Sequence, residues 1–115
     1  MVEEKIRFLI EDLGVDGVDF EFGWCSEPNY TDVDSEIVET VAKNVKEAIG
    51  IDLERTYQWA SSDARFFRYA GIPTLQYGPA RLEGIHAYNE CVDVKEVIDC
   101  TKVYIGTIID FLGAK

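Results

Sequence analysis

One stretch decides the predicted fold: residues 61–79 read SSDARFFRYAGIPTLQYGP. Ser61 or Ser62 is predicted to cap a short helix that ends before Gly71, because serine hydroxyls cap helix N-termini and glycine follows helix ends. An apolar segment at 72–77 then reads as a strand and stops at a Gly-Pro pair. A helix that runs directly into a strand predicts a layered α/β unit here.

Further helices and strands alternate on both sides of this stretch. Apolar residues at three- and four-residue spacing predict helices at 3–13, at 34–49 and from Asp93 onward. Alternation of period two predicts a strand at 18–24, and a weaker strand is predicted at 53–58. This order predicts an α/β fold of one domain, residues 1–115, with a layered three-stranded sheet that is at least partly parallel.

The faces and ends of the two long helices follow from the same periodicity. Asp32 or Asp34 is expected to cap the helix at 34–49, and Asp93 begins the last helix with the spacing of a capping box. The last helix is expected to bury one apolar face, made of Val97, Ile98, Thr101, Tyr104, Ile105, Ile108, Ile109 and Leu112.

Composition excludes several classes of function. The 115 residues carry a formal net charge of −11, which repels nucleic acid and anionic membranes. No apolar run approaches the ~20 residues of a membrane helix, and the N-terminus lacks the basic start of a signal peptide, so a cytoplasmic location is expected. The three cysteines are widely spaced and indicate no disulfide framework.

The chain has a single histidine, His86, in the loop sequence IHAYNE at residues 85–90. A catalytic zinc ion takes three protein ligands, and one imidazole supplies only one of them. The loop follows a predicted strand end, where binding sites of α/β sheets cluster. Glu90, four residues after His86, is placed to orient the loop.

These motifs together resemble one enzyme family. The motifs are Ser-Asp-x-Arg-Phe at 62–66, Gly-Pro at 78–79 and His-x-x-Asn-Glu at 86–90. Their order resembles the C-terminal part of the zinc-dependent aminoacylase, acetylornithine deacetylase, succinyl-diaminopimelate desuccinylase and carboxypeptidase G family. The resemblance implies a fragment of a larger phosphorylase/hydrolase-like zinc peptidase. Residues 25–115 would be the C-terminal part of its catalytic domain, and 1–24 the end of its lid or dimerisation domain.

The resemblance also implies roles for individual residues. His86 would be a metal ligand, and Arg65 would bind a substrate carboxylate through its planar guanidinium. Ser62 and Gly78 would line the substrate pocket. Structural roles near the site fall to Asp63, Asn89 and Glu90. Taken without the motif, Arg65 reads instead as a surface arginine paired with Asp63 or Glu54, and Arg68 as an exposed charge.

The rest of the family's site has no counterpart here, so no catalytic residue is assigned. The family's His-x-Asp segment and catalytic glutamate are missing, and Glu-Glu occurs only at Glu3-Glu4. Zinc or cobalt would belong to the complete enzyme, and stable binding of either metal by this chain alone is not expected. We expect a chain that is inactive alone, as part of a hydrolase of N-acyl amino acids or short peptides.

The residues leave alternative functions and partners open. A non-catalytic module that self-associates or binds a partner is the main alternative. A cysteine hydrolase built on Cys91 and His86 is disfavoured, because nothing marks an orienting group or an oxyanion hole. A homodimer is expected through the strand edge at 18–24, since an unpaired edge invites pairing. A separate polypeptide that carries the N-terminal catalytic half is also possible.

Overall fold

Four helices lie in the part of the chain that the computed structural model describes, which is residues 2–14, 16–21, 23, 26–57, 60–79 and 84–113. They are α1 (Val2–Asp12), α2 (Glu36–Ile49), α3 (Ala64–Tyr69) and α4 (Val94–Leu112). Three of them fall where the sequence periodicity predicts a helix, and α3 falls where the capping residues predict one. The helical part of the prediction is therefore confirmed.

The N-cap residue agrees with prediction at α4 and differs at α2. Asp93 is the N-cap of α4, and its carboxylate accepts a hydrogen bond of 2.7 Å from the backbone N–H of Lys95. The N-cap of α2 is Ser35, whereas Asp32 or Asp34 was the expected cap. Asp32 instead accepts a hydrogen bond of 2.9 Å from the backbone N–H of Asp34, which turns the loop before the helix starts.

The core forms where α2 packs against α4, the pair of helices in contact within the described ranges. Val41 and Val45 on α2 meet Val103 on α4, and Val103 is completely buried. The partly buried side chains packed around these three valines are Ile37, Ile49, Leu75 and Tyr77. Residues 72–77 thus reach the core through their side chains, and this places the neighbouring Gly78 beside α4.

The predicted three-stranded sheet is wrong. Of the predicted strands, residues 18–21, 23, 53–57 and 72–77 are described and none of them is in a strand; Phe22, Trp24 and Gln58 lie outside the described residues. The backbone-to-backbone hydrogen bonds outside the helices are local, such as that of 3.0 Å from Ile72 N to Phe67 O. A strand exists only when a partner satisfies its backbone groups, and here these extended segments do not pair with one another.

The predicted buried face of α4 is also wrong. The buried residues of α4 are Asp99, Cys100, Val103 and Thr107, on the side that faces α2. The predicted face stays exposed, from 42% at Val97 to 74% at Leu112. α4 is apolar on more than one side, and its smaller residues allow the closer approach to α2. We call the exposed set Ile98, Ile105, Ile108, Ile109 and Leu112 the α4 stripe.

The chain is elongated rather than tightly folded. Its radius of gyration is 19.8 Å, against about 13 Å for a compact domain of this length. α1 has no buried residue. Among the residues described, no helix is both long enough and apolar enough to cross a membrane.

Candidate functional site

The α3 helix carries the arginine that the sequence motif singles out. The N-cap residue of α3 is Asp63, although its side chain makes no capping hydrogen bond. The prediction that Ser61 or Ser62 caps this helix is therefore wrong. Ser62 contributes its carbonyl, which accepts a hydrogen bond of 3.2 Å from the backbone N–H of Arg65. The turn at 61–63 therefore starts the helix through its backbone.

The guanidinium of Arg65 is held over the start of its own helix. Its Nη1 donates to the hydroxyl of Ser61 at 2.5 Å. Its central carbon lies 4.8 Å from the centre of the Phe66 ring, within the range of a cation–π contact. The group is thus oriented by a neighbour on each side, and sequence reasoning missed both Ser61 and Phe66 in this role.

The guanidinium of Arg68 is held by hydrogen bonds, so the prediction that Arg68 is an exposed charge is wrong. Its Nε donates to the side-chain oxygen of Asn29 at 2.7 Å, and its Nη1 donates to the carbonyl of Thr74 at 3.1 Å.

Two further hydrogen bonds join α3 to the loop before α2. Asn29 donates to the carbonyl of Arg65 at 3.1 Å, and the Tyr69 hydroxyl donates to the carbonyl of Glu27. No local sequence signal pairs these residues, because about forty positions separate the two segments.

Gly78 lies beside α4. An ideal β-carbon on Gly78 would stand 3.7 Å from the hydroxyl of Tyr104, which is an ordinary van der Waals distance. The Tyr104 hydroxyl donates to the carbonyl of Tyr77, and the two tyrosine rings meet edge to face with centroids 5.9 Å apart. Burial, followed by a hydrogen bond with Cys100, raises the pKa of Tyr77 to about 12.

The His86 loop consists of two successive turns. Ala87 N donates to Gly84 O at 3.1 Å, and Glu90 N donates to Ala87 O at 3.3 Å. His86 and Asn89 adopt left-handed backbone angles, φ 59° and φ 61°. Non-glycine residues with such angles are uncommon and are enriched at functional sites. The His86 side chain is exposed at this strained corner.

Glu90 folds back across the same loop. Its Oε2 accepts a hydrogen bond of 3.3 Å from the backbone N–H of His86. The structure therefore places Glu90, Asn89 and His86 in one small unit at residues 86–90. Between described residues, no hydrogen bond joins this unit to the Arg65 unit on α3.

The side chains that the structure describes do not form a complete metal centre. Within the described ranges, no group of three or more histidine, cysteine, aspartate or glutamate side chains comes together. Zinc sites use three or four such ligands within about 2.3 Å of the ion. His86 offers one imidazole, and Glu90 is engaged with the backbone of its own loop. Among the described residues, this loop can therefore lend one imidazole ligand to a metal ion.

Comparison with known proteins gives a consistent family match. The sequence profile of Peptidase family M20/M25/M40 matches residues 3–110. A succinyl-diaminopimelate desuccinylase of Thioalkalivibrio sulfidiphilus is 27% identical over 108 residues, which is 92% of this chain and 28% of that protein. A succinyl-diaminopimelate desuccinylase of Nitratiruptor sp. is 31% identical over 86 residues, 75% of this chain and 23% of that protein.

A relative with a different substrate also matches. The N-formyl-4-amino-5-aminomethyl-2-methylpyrimidine deformylase of Halalkalibacterium halodurans is 29% identical over 80 residues, 70% of this chain and 19% of that protein. The chain therefore spans less than a third of the length of each of these relatives. No solved structure matches the chain significantly.

Proposed function

Because the chain belongs to peptidase family M20/M25/M40, we propose that it supplies the carboxylate-binding part of a hydrolase that cleaves amide bonds of N-acyl amino acids or short peptides. The match over residues 3–110 carries this proposal. The names of the relatives support the reaction class, since they describe removal of a succinyl or a formyl group. Which acyl group this chain would serve is left open by those two names.

Arg65 is the proposed contact to the substrate carboxylate. A guanidinium presents five N–H donors in a fork that matches a carboxylate. The bond to Ser61 and the stacking on Phe66 support this role, because they orient the group before any ligand arrives. Ser62 and Gly78 are proposed to line the same pocket, with Asp63 supporting the start of α3.

His86 is proposed as one metal ligand of the complete enzyme. Peptidases of this family are generally metal-dependent. Since the described side chains of this chain do not form a metal centre, zinc or cobalt would be bound only with ligands supplied from elsewhere. Asn89 and Glu90 are proposed to hold the loop that presents the imidazole. No hydrolytic step is assigned to the chain alone.

The proposed domain division follows from the same family membership. Residues 1–24 are proposed to end the lid or dimerisation domain, and 25–115 to complete the catalytic domain. The remaining part of the catalytic site would come from sequence outside these residues, either joined to them or on a separate polypeptide. The chain covers less than a third of each relative's length, so most of each relative has no counterpart in these residues.

The first experiment assays the isolated chain. Zinc or cobalt is added, and hydrolysis of N-acetyl, N-succinyl and N-formyl amino acids and of dipeptides is followed. We expect no turnover above background and no stoichiometric zinc site tighter than micromolar by calorimetry, because a lone imidazole cannot close a zinc site. Turnover that survives purification and is lost in His86→Ala would overturn the proposal of inactivity.

The second experiment restores the missing part. Residues 1–115 replace the matching segment of the Thioalkalivibrio sulfidiphilus desuccinylase, and kcat/KM of the fusion is measured. Arg65→Lys should lower kcat/KM about ten- to a hundred-fold, because a charge-assisted fork is lost. Arg7→Lys is the matched control, since Arg7 pairs with Glu3 on the surface of α1. Equal kcat/KM for both variants would remove Arg65 from the proposed site.

A partner-binding module is the second candidate, and the exposed α4 stripe favours it. These isoleucines and Leu112 are 48–74% exposed. A contiguous apolar surface of this kind marks an interaction site in many proteins. We propose a homodimer as the simplest form of this association. Sedimentation over a wide range of protein concentration tests it: Ile105→Glu should abolish association, and a monomer at all concentrations contradicts it.

A further inference from the structure

Side-chain hydrogen bonds, rather than helix packing, hold α3 in place. The helix has six residues and none of them is buried. Within the described ranges, helix–helix contact is confined to α2 and α4. So short a helix is marginal by itself in water. The direction in which Arg65 points therefore depends on the segments bound to α3.

Asn29 uses both ends of its side-chain amide on this helix. Its Nδ2 donates to the carbonyl of Arg65 at 3.1 Å, and its Oδ1 accepts from Arg68 Nε at 2.7 Å. Arg65 and Arg68 are three residues apart and share one side of the helix. One planar amide therefore fixes two successive points on α3, and the bond to the charged guanidinium is the stronger of the two.

The far end of this arrangement is anchored as well. Arg68 Nη1 donates to the carbonyl of Thr74 at 3.1 Å. The Thr31 hydroxyl donates to the same carbonyl at 2.6 Å and accepts from the backbone N–H of Thr74 at 2.8 Å. The loop at 29–31, the helix α3 and the segment at 72–74 thus form a closed ring of hydrogen bonds, which we call the Asn29 clamp.

On the premise of the proposed function, we propose that Asn29 is a positioning residue for carboxylate binding. The Asn29 clamp fixes the backbone of α3 at Arg65, so that its guanidinium stays over Ser61 and Phe66. The clamp also engages Arg68 with Asn29 and Thr74. Of the two arginines on α3, Arg65 is therefore the one that meets the substrate carboxylate, and Asn29 decides this selection.

The test measures carboxylate binding by the full chain without any hydrolysis. N-acetylglycine is the probe, and its neutral amide, N-acetylglycinamide, is the matched ligand without a carboxylate. Binding is followed by NMR through the Arg65 Nε–Hε resonance, which is assigned by its loss in Arg65→Lys, and in that variant through the backbone amide resonances of α3. We expect saturable binding of N-acetylglycine only, and an apparent Kd about fivefold higher in Asn29→Ala, because α3 then loses both of its hydrogen bonds to Asn29.

Two further variants separate positioning from general stability. Asn29→Asp keeps the acceptor for Arg68 and loses the donor to the Arg65 carbonyl, so its Kd should lie between those of the wild type and Asn29→Ala. Val45→Ala lowers stability in the core between α2 and α4, away from α3, and should leave the Kd unchanged. If Val45→Ala weakens probe binding as much as Asn29→Ala does, the effect is one of stability and the proposal is overturned.

The remaining outcomes distinguish this inference from its premise. If Arg65→Lys abolishes probe binding while Asn29→Ala leaves it within twofold, the Asn29 clamp is only structural and the inference is wrong, although the role of Arg65 stands. If the wild-type chain does not prefer N-acetylglycine over its amide, or if Arg65→Lys binds equally well, the proposed role of Arg65 fails and the inference falls with it.

Discussion

Asn44 on α2 lies so close to Gly106 on α4 that an ideal β-carbon on the glycine would stand 2.0 Å from Asn44 Oδ1. The Asn44 side chain is buried, and its amide donates to the carbonyl of Thr40 at 2.9 Å and to the carboxylate of Asp110 at 3.0 Å. It cannot turn aside without giving up these bonds. The glycine is therefore what allows α2 and α4 to approach at this point.

Gly106→Ala is expected to destabilise the chain. Overpacking costs roughly 1–3 kcal/mol, and the ~1 kcal/mol that alanine gains over glycine in helix propensity offsets only part of it, so a net loss of about 1 kcal/mol is expected. The free energy of unfolding is measured by urea denaturation followed by circular dichroism.

The control for Gly106→Ala places the same change in an Asn44→Ala background. Without the Asn44 amide the β-carbon has room, and alanine should then stabilise the helix by up to about 1 kcal/mol. A change of sign between the two backgrounds is the expected result. An equal loss in both would show that the contact with Asn44 is not the cause.

Stability should fall in acid through Asp110. Hydrogen bonds from the Lys43 ammonium, 2.9 Å away, and from the Asn44 amide hold the pKa of Asp110 below its ordinary value. A carboxyl whose pKa is lowered on folding stabilises the fold above its unfolded pKa of about 4, and this contribution is lost as the pH falls through the folded pKa. Unfolding experiments at pH values from about 5 down to 3 should show the loss.

Asp110→Asn isolates this contribution. Two other carboxyl groups also have a lowered pKa: that of Asp99, beside Lys95 and Lys102, and that of Glu39, beside Arg55. Part of the loss of stability in acid therefore comes from them. The variant should therefore flatten the dependence of stability on pH without removing it. A slope identical to that of the wild type would mean that Asp110 is not involved.

Alkaline pH should destabilise the fold through Tyr77. Burial, and then the hydrogen bond with Cys100, raises its pKa to about 12. A tyrosine ordinarily titrates near pH 10, so the folded state favours the neutral phenol. The stabilisation is complete below about pH 10 and is lost as the pH rises from about 10 to 12. Tyrosinate absorbance should show a late-titrating group that Tyr77→Phe removes; unchanged titration in that variant would contradict the assignment.

The left-handed backbone of the His86 loop should tolerate glycine and reject a β-branched residue. Asn89 has φ 61°. Asn89→Gly should leave stability nearly unchanged, whereas Asn89→Val should cost about 1–2 kcal/mol, because a Cβ-branched side chain clashes in this conformation. Thermal unfolding and amide exchange across the loop are the measurements. Tyr88→Val is the matched control, since Tyr88 is 95% exposed and lacks a positive φ; an equal loss there would dismiss backbone strain as the cause.

The candidate site could be predicted only in part. The motif around Arg65 and the lone His86 stand out in the sequence because their residue types and spacing are visible along the chain. Asn29 does not stand out, because an asparagine in a polar loop is ordinary and its partners lie about forty residues away. The hydrogen bonds of Asn29 depend on how two distant segments fold together, which no local pattern encodes.

By itself the sequence determined the helices and the start of α4. Periodicity and the Asp93 cap act within one or two turns, so local chemistry suffices to specify them. Only the tertiary structure decided which side of α4 is buried: Val103 and Gly106 face α2, while the larger Ile108 stays exposed. Likewise, alternation at 18–21 and an apolar run at 72–77 describe segments able to form strands. Whether they do depends on partners for their backbone groups, and pairing is a property of the assembled fold rather than of either segment.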